Sequence, residues 1–269
     1  MGQYHKFMNF DKKEILISIP LRKLMEWSYQ KNDLILSAEE LIKDRWKGDR
    51  VLVIGDYVDE FYENKKSSEI LAQIRKENSR ENDENIYYYK YKEIKPKSYS
   101  ENHIASRYIY NHNKKQYIDL KKQPVQWLVY EQNNNCIYGA KIHPLSLLLS
   151  CCNGSGGGDY WGKNEEYVGE WINDSSSLEF SSKLLPLEYE ELNIIFDLEK
   201  ENDDNLNRIV TYMSEMKELE SIDKEKLKNI KFDKSFYLTN EEKDEIISAF
   251  LEKNKDNNKK LENEIELEI

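Results

Sequence analysis

The chain has 269 residues, a formal net charge of −11, and 39% apolar against 34% charged side chains. That composition suits a soluble globular protein of about two domains and excludes a fibrous or low-complexity chain. A helix-spanned membrane protein is also excluded, because no apolar run approaches the ~18 residues a bilayer requires.

The amino-terminal Met-Gly-Gln-Tyr-His-Lys has no apolar secretion core, and Lys6 stands where a myristoylation signal needs Ser or Thr. A cytoplasmic location without membrane association is therefore expected. Three cysteines, two of them adjacent (Cys151, Cys152), suit a reducing compartment. His5, His103, His112 and His143 are never paired at helical spacing, and no cysteine pair has zinc spacing. Neither a transition-metal site nor a cofactor is expected.

In chain order, Asn9-Phe10-Asp11-Lys12-Lys13-Glu14-Ile15 lies between two β-forming runs. Asn and Asp tolerate the left-handed conformation of a short connection, so a β-hairpin is predicted with its lysines in solvent. Pro20 can open a helix carrying Leu21, Leu24, Met25 and Ser28. Ser37-Ala38-Glu39-Glu40 has the form of a capping box and starts a second helix through Leu41, Ile42 and Arg45. Val51 to Ile54, stopped by Gly55-Asp56, suits a strand buried on both faces. Ser67 or Ser68 caps a helix through Ile70, Leu71 and Ile74, which dissolves in a polar linker from Lys76 to Asn85.

The hairpin motif then recurs 102 residues on, as Asn111-His112-Asn113-Lys114-Lys115-Gln116-Tyr117. Strands are predicted at Tyr87 to Tyr91, Val125 to Tyr130 and Cys136 to Ile142, and a helix from Pro144 over Leu145 to Cys152. Trp171-Ile172-Asn173-Asp174 matches Trp46-Lys47-Gly48-Asp49, Gly and Asn being the residues readiest to adopt positive φ. Here the spacing is 125, leaving 23 extra residues that contain a glycine cluster.

The fold class expected is thus α+β, an internally duplicated hairpin-helix-strand body with pseudo-twofold layout over 1–185 (copy one 1–80, copy two 86–185). Beyond Pro186 the pattern is helical, with Leu206, Ile209, Val210, Met213, Met216 and Leu219 on one face. Another helix starts at Thr239 to Glu242, and a frayed tail over 253–269 follows the acidic helical region of 186–252. Charge separates these parts: 27 acidic and 27 basic side chains in 1–185, against 24 and 13 in 186–269. An acidic appendage disfavours non-specific nucleic-acid binding and suits either a basic protein partner or a solvated face.

Two clusters carry candidate chemistry. Four of the ten glycines fall in Asn153-Gly154-Ser155-Gly156-Gly157-Gly158-Asp159. Successive amides there can form a nest for phosphate, with Tyr160 and Trp161 offering a stacking face for a nucleotide-like molecule. The plain alternative is a helix cap followed by a loop. The phosphate loop of nucleotide hydrolases is excluded because Gly162-Lys163 is followed by Asn164. The dinucleotide fingerprint is excluded because a helix, not a strand, comes first. The second cluster is acidic: Asp56 and Asp59, with Asp159, could hold a divalent cation if the fold joins them. Asp49 sits at the far end of the strand, ~23 Å from Asp56. Cys151 and His143 lie ~12 Å apart along a helix, too far to act as nucleophile and base.

At Gly2-Gln3-Tyr4, the Asn-x-Asp-Lys-Lys-Glu hairpin, Lys23 to Tyr29, Trp46-x-Gly-Asp-Arg50, Gly55-Asp56-Tyr57 and Asn153 to Asp159, the chain resembles a family of bacterial and phage-borne proteins. The resemblance covers residues 2 to about 175. It implies no established activity and carries over no catalytic residue. In shorter members the glycine motif is followed by the Trp-x-Gly-Asp-Arg strand within one unit, whereas here these lie in different copies. The function expected is a non-enzymatic binding or inhibitor protein of mobile-element type, in counter-defence or immunity. It would capture a phosphate-bearing ligand at residues 153–161 or dock a host protein. The alternative is a metal-assisted phosphoester or nucleotide hydrolase using Asp56, Asp59 and Asp159.

Overall fold

The computed structural model describes residues 2–29, 32–58, 65–78, 85–100, 103, 106–123, 125–130, 136–154, 159–160, 166–194 and 248. Chain contacts divide it into one unit of Met1–Pro124 with Lys141–Asp197 and another of Val125–Ala140 with Leu198–Ile269. The strands are β1 (His5–Asn9), β2 (Glu14–Leu16), β3 (Val51–Gly55), β4 (Lys92–Ile94), β5 (Tyr108–Asn111), β6 (Gln116–Asp119), β7 (Val125–Tyr130), β8 (Cys136–Lys141), β9 (Leu178–Ser181) and β10 (Glu190–Glu191). The helices are α1 (Leu24–Trp27), α2 (Asp33–Lys43), α3 (Lys65–Glu77) and α4 (Leu145–Leu148). Mixed sheets with few helices make this an α+β protein. No helix among the described residues is long and apolar enough to cross a membrane.

Two four-stranded sheets share one design, in the orders β3-β1-β2-β4 and β9-β5-β6-β10. In each, an antiparallel hairpin forms the centre. The third strand pairs antiparallel with the hairpin's first strand, and the fourth pairs parallel with its second. The details correspond as well. Asn9 Oδ1 accepts from the Lys12 amide at 2.8 Å, and Asn111 Oδ1 from the Lys114 amide at 3.0 Å. Asn9 Nδ2 donates to Asp49 at 2.8 Å, and Asn111 Nδ2 to Asp174 at 3.2 Å. Trp46 Nε1 donates to Glu14 at 2.8 Å, and Trp171 Nε1 to Gln116 at 3.0 Å. β7 and β8 pair with each other as a separate ribbon.

Several local expectations are corrected. The left-handed residue in each hairpin is a lysine, Lys13 and Lys115, both at φ 54°. The asparagine instead closes the turn with its side chain, and the exposed lysines bear the strain. Gly48 has the expected positive φ of 80°, but Asn173 does not; Gly169, at φ 70°, makes the left-handed step before Trp171. A 3₁₀ turn over Ser175–Ser177 then separates Asp174 from β9. Helix α2 starts four residues before Ser37, with Asn32 accepting from the Ile35 amide as its cap. Ser37 is mid-helix and receives the Lys97 amide. The helix expected from Pro20 begins only at Leu24, and α3 already includes Ser67. Tyr87 to Tyr91 is not a strand: Ile86–Tyr88 is a 3₁₀ turn and β4 follows it. Glu190–Glu191 is a strand within the stretch expected to be helical.

Side chains alternate across β1 and sort the core into two faces. Met8 joins Leu52, Ile54, Ile70, Leu71 and Ile74 beneath α3. Phe7 packs on Trp27, with ring centroids 5.2 Å apart. The run from Leu145 to Cys152 is helical only to Leu148. It then lies parallel to the outer edge of β3, through Val53 N to Leu149 O and Cys151 N to Val53 O, both 2.9 Å. Two backbone groups of β3 that an edge strand would leave open are thereby paired. This strap brings Cys152, just before the glycine cluster, to the first sheet.

Candidate functional site

Cys152 and Asp159, which flank the glycine run, both meet Gln3 beside the end of β3. Gln3 Oε1 accepts from Cys152 Sγ at 3.1 Å, and the Gln3 amide donates to Asp159 Oδ2 at 3.3 Å. A methyl group at residue 55 would stand 1.9 Å from Gln3 Oε1 and 3.0 Å from His5 Nε2, so Gly55 is dictated by close approach.

Gln3 and His5 are completely buried. His5 Nδ1 contacts the Gln3 carbonyl at 3.2 Å. A carbonyl only accepts, so Nδ1 carries the proton and Nε2 of the neutral ring presents a lone pair. Burial lowers the His5 pKa to about 4, against the opposing pull of the Cys152 and Gln3 carbonyls. Gln3 Nε2 has no hydrogen-bond partner among the described residues, and His5 Nε2 has none of ordinary geometry, although the Cys152 carbonyl lies near enough to favour its protonated form. Buried polar atoms of this kind are uncommon enough to mark a place of interest.

The stem of the glycine loop is closed by one side chain. Asn153 Nδ2 donates to the Tyr160 carbonyl at 2.6 Å while its Oδ1 accepts from the Tyr160 amide at 3.0 Å. The side-chain amide thus acts as a peptide group bridging the two ends. Asp159 folds back over Gly154, where a methyl would come within 2.2 Å of its carboxylate. The same carboxylate and the far end of the Lys23 side chain both border Gly2. Tyr160, expected to offer a stacking face, is a core residue: its ring is buried, and burial pushes its phenol pKa up. Ser155, Gly156, Gly157, Gly158 and Trp161 lie outside the described residues.

Asp56 stands at the rim. Its Oδ1 accepts from the Tyr4 amide at 3.0 Å, and its own amide donates to the Tyr4 carbonyl at 3.0 Å. Gln3 and Tyr4 therefore send consecutive amides to different carboxylates, Asp159 inside and Asp56 outside. Asp59 lies outside the described residues, and among those described no group of three His, Cys, Asp or Glu is placed to hold a metal ion.

On the opposite face of β1, Lys6 lays its ammonium 3.7 Å from the Tyr87 ring centroid. Burial lowers its pKa to about 8, with the more distant Glu93 and Asp56 opposing, and burial raises Tyr87 to about 12. Elsewhere, His143 Nε2 meets Glu39 at 2.7 Å, and Nδ1 accepts from the Leu145 amide at 3.3 Å. Both ring nitrogens are thus spent on bracing α2 and the start of α4, and Cys151 is buried with its thiol pKa pushed up. No nucleophile–base pair arises there.

Sequence reasoning missed Gln3, His5, Lys6 and Lys23. A signal was present in Gly2 and Gly55, two glycines in a glycine-poor chain that both proved to be sites of close approach. Comparison with protein-family models, with curated proteins and with solved structures gives no match.

Proposed function

We propose that this chain is a binding protein without turnover, which captures a phosphate-bearing ligand on the main-chain amides of the 153–159 loop. The observation that supports it is the construction of the loop's base. Asn153 clasps Tyr160 and Asp159 is buried on the Gln3 amide, while the Asp159 carboxylate fills the space over Gly154 and the Gln3 side chain that over Gly55. With the ends of the run fixed at Asn153 and Asp159, capture of a ligand between them would cost less in ordering. The buried Gln3 Nε2 and His5 Nε2 at the same place add polar capacity of neutral character.

The matched strand orders and paired Asn–Asp and Trp–Glu/Gln bonds support reading the two sheets as an internal duplication, with the strap and loop of the second half seated on the first. On that reading one site is built from both halves. The resemblance to phage-borne proteins is the reason to propose counter-defence or immunity as its setting. The acidic region 186–252 is proposed to dock a basic host protein. Metal-assisted hydrolysis at Asp56, Asp59 and Asp159 draws no support from the geometry, since Asp56 and Asp159 are turned onto different backbone amides.

Thermal shift of the full chain against inorganic phosphate, nucleotides and cyclic dinucleotides tests the reading. A ligand at a hundredfold its dissociation constant stabilises by about 2.7 kcal/mol, or upwards of about 5 °C in Tm. The shift should disappear in Gly157→Val, with no phosphate released in magnesium or manganese. A flat response to every ligand would remove the reading.

A further inference from the structure

Lys6 is placed unlike the paired lysines of this chain. Lys12, Lys97, Lys114 and Lys122 form ion pairs with Asp49, Glu40, Glu170 and Glu191. Lys6 is half-buried on the α3 face of β1, its ammonium resting on the Tyr87 ring. The carboxylates that face it, Asp56 after β3 and Glu93 in β4, act on it through space and not by a hydrogen bond. It is held, partly desolvated, and engaged by no acid among the described residues.

The second sheet serves as a control built into the molecule. Lys6 pairs with Ile54 in the first sheet, and Tyr108 pairs with Ser181 at the same register in the second. Two residues beyond, Asp56 corresponds to Lys183. The Asn–Asp and Trp–Glu/Gln bonds occur in both sheets and so belong to the architecture. The Lys6–Tyr87–Asp56 group occurs in one, so this strand arrangement does not demand it. Tyr87 itself is buried, with Lys6 over its face, and the exposed aromatic surface is that of Tyr88, 59% exposed and edge-on to Tyr87 at 5.1 Å, and of Tyr4, 40% exposed and two residues before Lys6.

We propose that Lys6 is an amine nucleophile that condenses reversibly with an aromatic aldehyde, whose ring is accepted by the exposed Tyr88 and Tyr4 while Tyr87 backs the amine. The Nζ lone pair attacks the aldehyde carbon as the carbonyl π pair moves onto oxygen, which takes up a proton. The carbinolamine then expels that oxygen. Both amine hydrogens of the neutral lysine are thereby lost overall with one water, leaving an imine, and no electron is gained or lost. Desolvation beside an aromatic wall is a recognised way of readying a lysine for this reaction. This site lies on the other face of β1 from Gln3 and His5 and stands independently of the proposed ligand loop.

The test is labelling of the full chain with pyridoxal 5′-phosphate, trapped by borohydride and mapped by peptide mass spectrometry. Lys6 should label about tenfold faster at pH 7.5 than exposed lysines such as Lys13 or Lys92. Its rate should rise with a midpoint near 8, where its pKa lies. Asp56→Asn removes a carboxylate that holds this pKa up, so the midpoint should fall and labelling at pH 7 should increase; Lys6→Arg should abolish the adduct at that peptide. Labelling of Lys6 no faster than of Lys13, or a midpoint near 10.5 unmoved in Asp56→Asn, would overturn the proposal.

Discussion

Gly154 and Gly48 are glycine for different reasons, and the difference can be measured. Gly48 is left-handed, and a methyl added there would meet nothing within 4 Å, so Gly48→Ala suffers only backbone strain, about 1 kcal/mol. At Gly154 a methyl would lie 2.2 Å from Asp159 Oδ2 and 2.6 Å from Cγ, with the carboxylate itself buried. Gly154→Ala should therefore lower the urea midpoint more, by the equivalent of about 1–3 kcal/mol. His5 makes a second prediction at this scale. Its native pKa, about 4, lies below the 6.5 of the unfolded chain. The unfolded state therefore takes up a proton first as pH falls, and the stability His5 supplies is complete above pH 6.5 and lost toward pH 4. The full swing is about 3 kcal/mol. Urea titrations at pH 7 and pH 4.5 should show most of that loss, and it should be much smaller in His5→Gln.

Between elements, the buried indoles link each hairpin to the segment leading into its third strand. Trp46 and Trp171 are both fully buried, and each gives its N–H to the first residue of β2 or β6. Position 14 carries a glutamate, which Arg45 also meets, and position 116 a glutamine. Leucine at either position would leave a buried donor unpaired, at a cost of about 1–3 kcal/mol. Glu14→Leu should thus destabilise more than Glu14→Gln, which keeps the acceptor that position 116 already uses, as denaturant midpoints would show. These hairpins were legible in the sequence because Asn-x-Asp/Asn-Lys-Lys is a complete local instruction. β3 was legible as a short apolar run stopped by Gly55. The left-handed lysines were not legible, since the motif names its asparagine and hides which residue takes the strain. Nor was the end of α4 at Leu148: Leu149 to Cys151 are apolar enough for either state, and the open edge of β3 decides for pairing.

Across the molecule, little of the candidate site could be read in advance, because its parts are brought together by contacts distant in sequence. Gln3 and Asp159 are 156 residues apart, and Gln3 and Cys152 are 149 apart. Composition could mark the glycine loop as unusual, but no local pattern assigns Asp159 to the Gln3 amide or makes Tyr160 core. The strap from Leu149 to Cys151 closes β3, and no described residue of 1–124 pairs with that edge. A chain cut after residue 124 should therefore lack the cooperative unfolding and dispersed amide spectrum of the full protein.

That strap also sets the tempo of assembly. Val53 leaves the ribosome almost a hundred residues before Leu149 and Cys151, the residues that complete its ladder. At ~5–20 residues per second the nascent first sheet waits several seconds with a bare apolar rim, a period in which chaperone holding would matter most. Refolding from denaturant faces the same long closure without the vectorial order, and should be slow for a protein of this size.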